Sequence, residues 1–190
     1  MQETMSIGLF RGTVKVEKHD PEWEVVAFQT IQRLKAILGE TTLGIEHVGS
    51  TAIKDIVAKP IIDIVIGVKS FNHILDLNNE LERNGFIFRG QDHPDQYLYI
   101  CGEGDFLTHH IHAVLFNSEA WRNYIDFRDY LNTHKDDALT YSRLKEKLAI
   151  KYKDDRKTYT LSKSDFVNEI IHKAQIWRNK TISLITNNKV

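Results

Sequence analysis

The spacing of apolar residues predicts a chain that mixes helices and strands up to about residue 117 and is helical beyond it. Apolar side chains recur every three to four positions along 21–38, which predicts a helix there. Asp20 is its expected N-cap, Pro21 its first residue and Gly39 its end. The same spacing predicts four further helices, at 70–84, 118–133, 136–153 and 164–180. Runs that are rich in Val and Ile or that alternate in polarity predict strands at 43–48, at 60–68, from 86 onward, in a hairpin over 97–106 and at 109–116.

This order of elements predicts an α+β fold, in which one mixed sheet is flanked by helices and a helical C-terminal part packs on it. Because no repeat, low-complexity tract or flexible linker interrupts the chain, residues 1–190 are predicted to form a single domain. Its α/β core is expected over about 15–117 and its packed helices over about 118–180. The stretch 51–58 is expected to be a short helix or an irregular turn. The basic stretch 151–163 is expected to be either a mobile rim of a cleft or a polar loop.

Composition narrows the class of protein. The 190 residues are 42% hydrophobic, and 25 Lys and Arg against 26 Asp and Glu give a formal net charge of −1. That balance argues against a dedicated surface for duplex nucleic acid or for acidic membranes. The single cysteine, Cys101, excludes an internal disulfide, and no apolar run approaches the roughly 20 residues that span a bilayer. With no secretion signal at the N-terminus, we expect a cytoplasmic protein; the sequence leaves its oligomeric state open.

One charge, Asp63, interrupts the most apolar strand. An isolated buried carboxylate costs several kcal/mol, so Asp63 requires a cation, a hydrogen-bond network or solvent at a cleft. It either caps a nearby backbone turn or belongs to a functional site, most simply as a metal ligand. The turn before it favours the second interpretation. Gly49 lets the backbone approach a ligand closely, and Ser50 and Thr51 offer amide and hydroxyl donors that suit a phosphate.

A strand, a Gly-Ser turn and an aspartate on the next strand resemble the signature of the nucleotidyltransferase superfamily. More closely, the chain is similar to the GrpB-like family of bacterial proteins, which shares that fold. The resemblance extends over about 15–175, and its motifs are "EHVGSTAI" (46–53), "AKPIIDI" (58–64), "THHIHAVLF" (108–116), "AWRNYIDFRDYLNTH" (120–134) and "YSRLKEKLAIKY" (141–152).

The resemblance implies a nucleotide, or another small phosphorylated ligand, bound with a divalent metal such as magnesium or manganese. Asp63 would be the catalytic metal ligand, and Gly49, Ser50, Thr51 and Lys59 would surround the phosphates. Two departures from the family pattern affect this interpretation. The second acid of the superfamily, two residues after the first on the same strand face, is replaced here by Val65. The family's Pro-Gly after the turn is replaced by residues 54–55, Lys-Asp.

A histidine pair offers another set of ligands. Alternation along 109–116 places His110 and His112 on one face of a strand, with Cα atoms about 6–7 Å apart. With Asp63 they would form a two-histidine, one-carboxylate site, which favours manganese, iron or zinc. The alternative is that these histidines bind phosphate or hydrogen-bond one another without a metal. His47, beside the Gly-Ser turn, is a further candidate.

Two cations in the helical half, Arg128 and Lys145, lie in family-like motifs and are our candidates for reaching a phosphate. For each one alone, a solvated helix face with charge pairs four residues apart is the simpler explanation.

Three functions therefore remain open. The chain is a nucleotidyltransferase acting on an unidentified acceptor, a nucleotide-binding module without two-metal chemistry, or a metal-dependent phosphoryl-transfer or hydrolytic enzyme built on Asp63, His110 and His112. The resemblance favours a transferase.

Overall fold

The computed structural model describes residues 7–187, with side chains described as far as Leu184. Its strands are β1 (Leu9–Phe10), β2 (Thr42–Val48), β3 (Ile62–Val68), β4 (Ile87–His93), β5 (Gln96–Glu103) and β6 (Phe106–Leu115). Its helices are α1 (Glu22–Leu38), α2 (Phe71–Leu75), α3 (Asn78–Arg83), α4 (Glu119–Thr133), α5 (Lys135–Lys151), α6 (Arg156–Ser162) and α7 (Ser164–Asn187). Short 3₁₀ turns follow α1 and β2, at Gly39–Thr41 and Ser50–Ala52. Within these described residues, no helix is long and apolar enough to cross a membrane.

The strands form one mixed sheet in the order β2-β3-β6-β5-β4, with β1 added to the start of β6. Strands β3 and β6 run parallel, and the other pairs are antiparallel. The predicted α+β class, with a mixed sheet and a helical C-terminal part, is therefore confirmed. The parallel pair matters for the site because it sets Asp63 beside His110 and Val65 beside His112.

The first face of the sheet packs against α1. Alternate residues of β3, including Ile62 and Ile64, are fully buried there against Trp23 and Leu34 of α1. Each such isoleucine contributes about 1.5–3 kcal/mol through burial. The predicted start of α1 is confirmed, since the Asp20 carboxylate accepts a hydrogen bond from the Glu22 amide at 3.0 Å.

The second face carries Asp63 and Val65 and packs against the helices after β6. Trp121 of α4 lies against this face over two glycines of neighbouring strands; a Cβ on Gly67 would come within 2.9 Å of its indole ring. Farther from the sheet, α4, α5 and α7 share a second core that includes Leu131, Tyr141 and Ile170. The helical half is thus built onto the sheet through α4.

Two expectations differ from the structure, and one strand, β1, was not expected. The helix predicted over 70–84 is two short helices, α2 and α3. The strand β1 has only two residues and no detectable pattern in the sequence. The stretch 151–163 is not a loop, because it contains α6. The Asp155 carboxylate caps α6 by accepting from the Thr158 amide at 3.0 Å, and Tyr159 is buried against Val14.

Candidate functional site

A cleft of about 680 Å³ opens between the second face of the sheet and the C-terminal helices. The Gly49-Ser50 turn and Asp63 contribute to its wall on the sheet side, while Tyr124 of α4 and Lys163, between α6 and α7, contribute on the helix side. The sequence-predicted turn and carboxylate therefore line one cavity. The helix α6 contributes Thr160 to the same wall, so the stretch 151–163, for which a rim of a cleft was one of the two expectations, does line the cleft.

Asp63 is held by two imidazoles from the parallel strand β6. Its Oδ1 atom lies 3.2 Å from His110 Nδ1 and 3.6 Å from His112 Nε2. Burial raises the pKa of the Asp63 carboxyl, but the hydrogen bond from His110 and the adjacent His112 outweigh that effect, so the pKa lies well below its usual range. Asp63 is therefore an ionised acceptor whose side chain is 28% exposed at the cleft.

Arg156 determines which ring nitrogen of His110 carries the proton. Its Nη2 atom lies 3.2 Å from His110 Nε2, the ring nitrogen that does not face Asp63. A guanidinium only donates hydrogen bonds, so Nε2 must be the accepting nitrogen. The proton of the neutral ring is consequently on Nδ1, and it is donated to Asp63. The sequence signal for Arg156 is weak, because one arginine in a basic, polar stretch is usually a surface residue.

The Gly-Ser turn requires glycine. Gly49 has φ +70° and ψ −167°, a backbone conformation that is essentially restricted to glycine. A Cβ at this position would lie 2.5 Å from Asp63 Oδ2, so the turn backbone packs directly on the carboxylate. Thr51 is buried, and its hydroxyl lies 2.9 Å from His47 Nε2, so its role at a phosphate stays a prediction. Burial is the largest of the causes that lower the pKa of His47 to about 4.

Three cations, Lys59, Arg156 and Lys163, lie close enough to Asp63 for its negative charge to act on their pKa values, and of these three Lys163 lines the cleft. Lys59 and Lys163 place their Nζ atoms 5.1 and 5.5 Å from the centre of the Tyr159 ring, and Arg156 contacts His110. Burial, with repulsion from Lys163 and Arg156, lowers the pKa of Lys59 to about 7. In the part of the chain that the structure describes, none of the three has a carboxylate within salt-bridge distance.

The two predicted helical cations lie outside the lining of the cleft. The positive charge of Arg128 is compensated by two ion pairs, in which it donates to Glu46 Oε2 at 2.9 Å and to Asp129 Oδ1 at 2.7 Å. Lys145 is 1% exposed and donates to the Val57 carbonyl, with its Nζ atom 4.4 Å from the centre of an aromatic ring. Burial lowers the pKa of Lys145 well below its ordinary value. Their roles at a phosphate stay predictions, and the structure brings neither one to Asp63.

An aromatic wall was missed by the sequence analysis. Tyr124 stacks on His112 with ring centres 5.0 Å apart, and its hydroxyl donates to Gln96 Oε1 at 2.8 Å. Phe127 and Tyr141 continue this wall along the cleft. At helical spacing these aromatic residues look like core, and only the packing of α4 on the sheet shows that they also face a cavity.

A third histidine of β6, His109, has a structural role. His109 points to the α1 side of the sheet, where its Nε2 atom lies 3.1 Å from the Thr30 hydroxyl and its Nδ1 atom 2.9 Å from the Thr108 hydroxyl. His110 and His112 point to the other side, as the alternation of the strand predicts.

The donor set around Asp63 does not match a divalent-metal site. Val65 is fully buried in the position of the superfamily's second acid. A histidine that ligates a metal carries its proton on the other ring nitrogen and needs an acceptor there. His110 presents that nitrogen to the donor Arg156, and the corresponding nitrogen of His112, Nδ1, is buried with no partner among the described residues. Across residues 7–187, no three His, Cys, Asp or Glu side chains are arranged as metal ligands.

Comparison with known proteins identifies the family. The model of the GrpB protein family matches residues 13–173. Glutamate-rich protein GrpB of Alkalihalophilus pseudofirmus is 36% identical over 171 residues, which cover 87% of this chain and 98% of that protein. The crystal structure of conserved protein GrpB from Enterococcus faecalis is 32% identical with a TM-score of 0.80, covering 86% of this chain and 99% of that chain.

A more distant likeness shows a shared fold. The MgGTP-bound structure of the Cid1 poly(U) polymerase has a TM-score of 0.51 at 14% identity, covering 70% of this chain and 44% of that chain. The fold is thus nucleotidyltransferase-like, as the Gly-Ser turn and the following aspartate predict. Since the family model matches most of its length, the chain belongs to the GrpB protein family.

Proposed function

We propose that the cleft binds a small phosphorylated molecule, with a nucleotide as the first candidate. The observation that carries this proposal is the set of cations near Asp63: Lys163 lines the cleft together with Gly49, Lys59 and Arg156 lie close to the same carboxylate, and none of the three has a carboxylate within salt-bridge distance among the described residues. Partly buried positive charges are costly unless an anion compensates them, and the acceptor that Arg156 already has, His110 Nε2, is a ring nitrogen and not an anion. A phosphate at the cleft would supply that anion.

The shape of the cleft supports a ligand larger than phosphate alone. Its volume of about 680 Å³ lies in the range of about 300–1,000 Å³ that is typical of small-molecule sites. Tyr124, which stacks on His112 with one face of its ring, and Phe127 line the cleft, and such aromatic side chains can pack against a planar group such as a nucleobase. A nucleotide would therefore contact Lys163 through its phosphates and the aromatic wall through its base.

Nucleotidyl transfer with magnesium or manganese is the more specific function implied by the family resemblance. It would make Asp63 a catalytic metal ligand, and it requires a further oxygen ligand that Val65 does not provide. The proposal therefore concerns binding. A transferase activity, its acceptor and its metal remain predictions from the resemblance, as does the cytoplasmic location.

Thermal unfolding of the full chain tests the proposal. The ligands are ATP, GTP, CTP, UTP and pyrophosphate, each with and without magnesium or manganese. A ligand present at about 100 times its dissociation constant stabilises by about 2.7 kcal/mol, a shift of a few degrees for a chain of this size.

Lys163→Gln is expected to reduce that shift, and Lys157→Gln, an exposed lysine on α6, is the matched control. Comparing the unfolding temperatures without ligand separates a lost contact from a loss of stability. If none of these ligands shifts the unfolding temperature, the proposed function is wrong.

A further inference from the structure

The geometry points to a phosphate site that works without a divalent metal: Lys163, which lines the cleft, and Arg156, which lies against His110, bind the ligand's phosphate directly, while Asp63 accepts a hydrogen bond from His110 with His112 beside it. This inference rests on the proposed function and specifies which groups neutralise the negative charge of the ligand.

Asp63 is already committed to protein contacts. Its Oδ1 atom accepts from His110 at 3.2 Å and lies 3.6 Å from His112. Its Oδ2 atom lies against the backbone of Gly49, where a Cβ would approach within 2.5 Å. A metal ion bound by this carboxylate would have to displace these neighbours.

The imidazoles are oriented for hydrogen bonding to Asp63. Because Arg156 donates to His110 Nε2 at 3.2 Å, a metal on Nδ1 would force the proton onto Nε2 and set two donors against each other. His112 would need an acceptor for a proton on Nδ1, and that atom is buried with no partner in the described part of the chain. Both rings therefore suit Asp63 better than they suit a cation.

The charge balance around Asp63 favours an anion. One carboxylate faces Arg156 and Lys163, which are both cationic, and Lys59, whose pKa of about 7 leaves it partly charged at neutral pH. Adding a divalent cation would increase an existing excess of positive charge. A phosphate group would neutralise it, and charge-assisted hydrogen bonds from a guanidinium and an ammonium are among the strongest that proteins make.

Other carboxylates of the cleft lie toward its opposite end. Asp95 precedes Gln96, which pairs with Val114, four residues along β6 from His110. Four residues of extended strand cover about 13 Å. Glu119, which begins α4 just after β6, lies at that same end. These acids therefore leave the excess of positive charge around Asp63 in place.

Isothermal titration calorimetry with ADP and with pyrophosphate tests the inference, using the full chain in excess EDTA and in excess magnesium or manganese. Both ligands are expected to bind in EDTA at least as tightly as with metal. A metal ion bound to the ligand neutralises part of the phosphate charge, and that charge would otherwise attract the cationic side chains. Arg156→Gln and Lys163→Gln are each expected to weaken binding by about tenfold or more, and Lys157→Gln by less than about twofold.

Asp63→Asn separates the two roles of the carboxylate. If Asp63 is only a hydrogen-bond acceptor, Asp63→Asn should still bind both ligands in EDTA, because the substitution removes a negative charge that lies near the phosphate. Circular dichroism of each variant verifies that it is folded. Binding that requires magnesium or manganese and is lost in Asp63→Asn would overturn this inference and leave the proposed function standing. Absence of binding in both buffers would overturn the two together.

Discussion

Arg156 Nη2 lies 3.2 Å from His110 Nε2, and the other nitrogen of the same ring faces Asp63. One arginine from the helical half thus sets the proton position of a histidine in the sheet. It determines that His110 donates to the carboxylate instead of sharing a metal with it. The chemistry of this strand therefore depends on a residue 46 positions away in sequence.

Removing that arginine is predicted to create metal affinity. In Arg156→Gln, a side-chain amide can accept from Nε2–H, so Nδ1 becomes free to ligate a cation beside Asp63. We expect zinc or cobalt to bind about tenfold more tightly than to wild type, measured by calorimetry and by cobalt absorption spectra.

The chain has 9 histidines, so the control is the double variant Arg156→Gln with His110→Ala, in which the gain should disappear. Equal metal affinity in wild type and Arg156→Gln would contradict the assigned proton position.

Gly49→Ala is predicted to lower the free energy of unfolding by about 3 kcal/mol or more. The glycine-only backbone conformation costs about 1–3 kcal/mol for another residue, and the added Cβ clashes with Asp63 Oδ2. The matched control is Gly104→Ala, because Gly104 has φ +57° and open space around it, so about 1–2 kcal/mol of backbone strain is expected there. Urea unfolding measures both, and equal losses would exclude the contact with Asp63 as a constraint on the turn.

Lys145 is predicted to make stability rise with pH. Its pKa is lowered in the folded state by burial, whereas the unfolded chain keeps an ordinary lysine that stays protonated to about pH 10. Between these two pKa values the unfolded state binds more protons, so the free energy of unfolding increases with pH, by at most about 1.4 kcal/mol per pH unit.

Urea unfolding from pH 7 to pH 9 should show a steeper rise for wild type than for Lys145→Met. Lys147→Met, which changes an exposed lysine on the same helix, should keep the wild-type slope. If Lys145→Met also keeps that slope, Lys145 is charged in the folded protein.

Tyr124→Ala is predicted to separate nucleotides from simple phosphates. Loss of a stacking ring weakens nucleotide binding by about 1–3 kcal/mol, while pyrophosphate, which has no base, should bind as it does to wild type. Tyr124→Phe is the control, since it keeps the ring and loses only the hydrogen bond to Gln96. Calorimetry with ADP and pyrophosphate measures both effects. Equal losses for the two ligands would place the base elsewhere.

The elements that carry the site were predictable because each depends on local chemistry. Alternation along β6 predicts that His110 and His112 share a face, and the apolar run of β3 isolates Asp63 as the one charge that needs an explanation. The backbone of the Gly-Ser turn can be anticipated from its residue types. The same local rules predict the helix that begins after Asp20 and ends before Gly39.

Other features depend on contacts between residues distant in sequence. The sequence pattern of α5 places Lys145 as a cation on the helix surface, and only the packing of α5 against the Val57 segment buries it. Arg128 reads as a candidate phosphate ligand, and only the approach of α4 to β2 pairs it with Glu46. In each case the helix pattern fixes the spacing of side chains but not the neighbour that they meet.

The sequence by itself determined the mixed sheet, the helical C-terminal part and the carboxylate that follows the Gly-Ser turn, since periodicity and turn chemistry are local properties of the chain. The tertiary structure alone decided what surrounds that carboxylate. Packing of α6 and the start of α7 over the sheet brings Arg156 and Lys163 to it and makes its surroundings cationic. Electrostatic character at a site is a sum over all elements that meet there, so it becomes defined only when they are packed together.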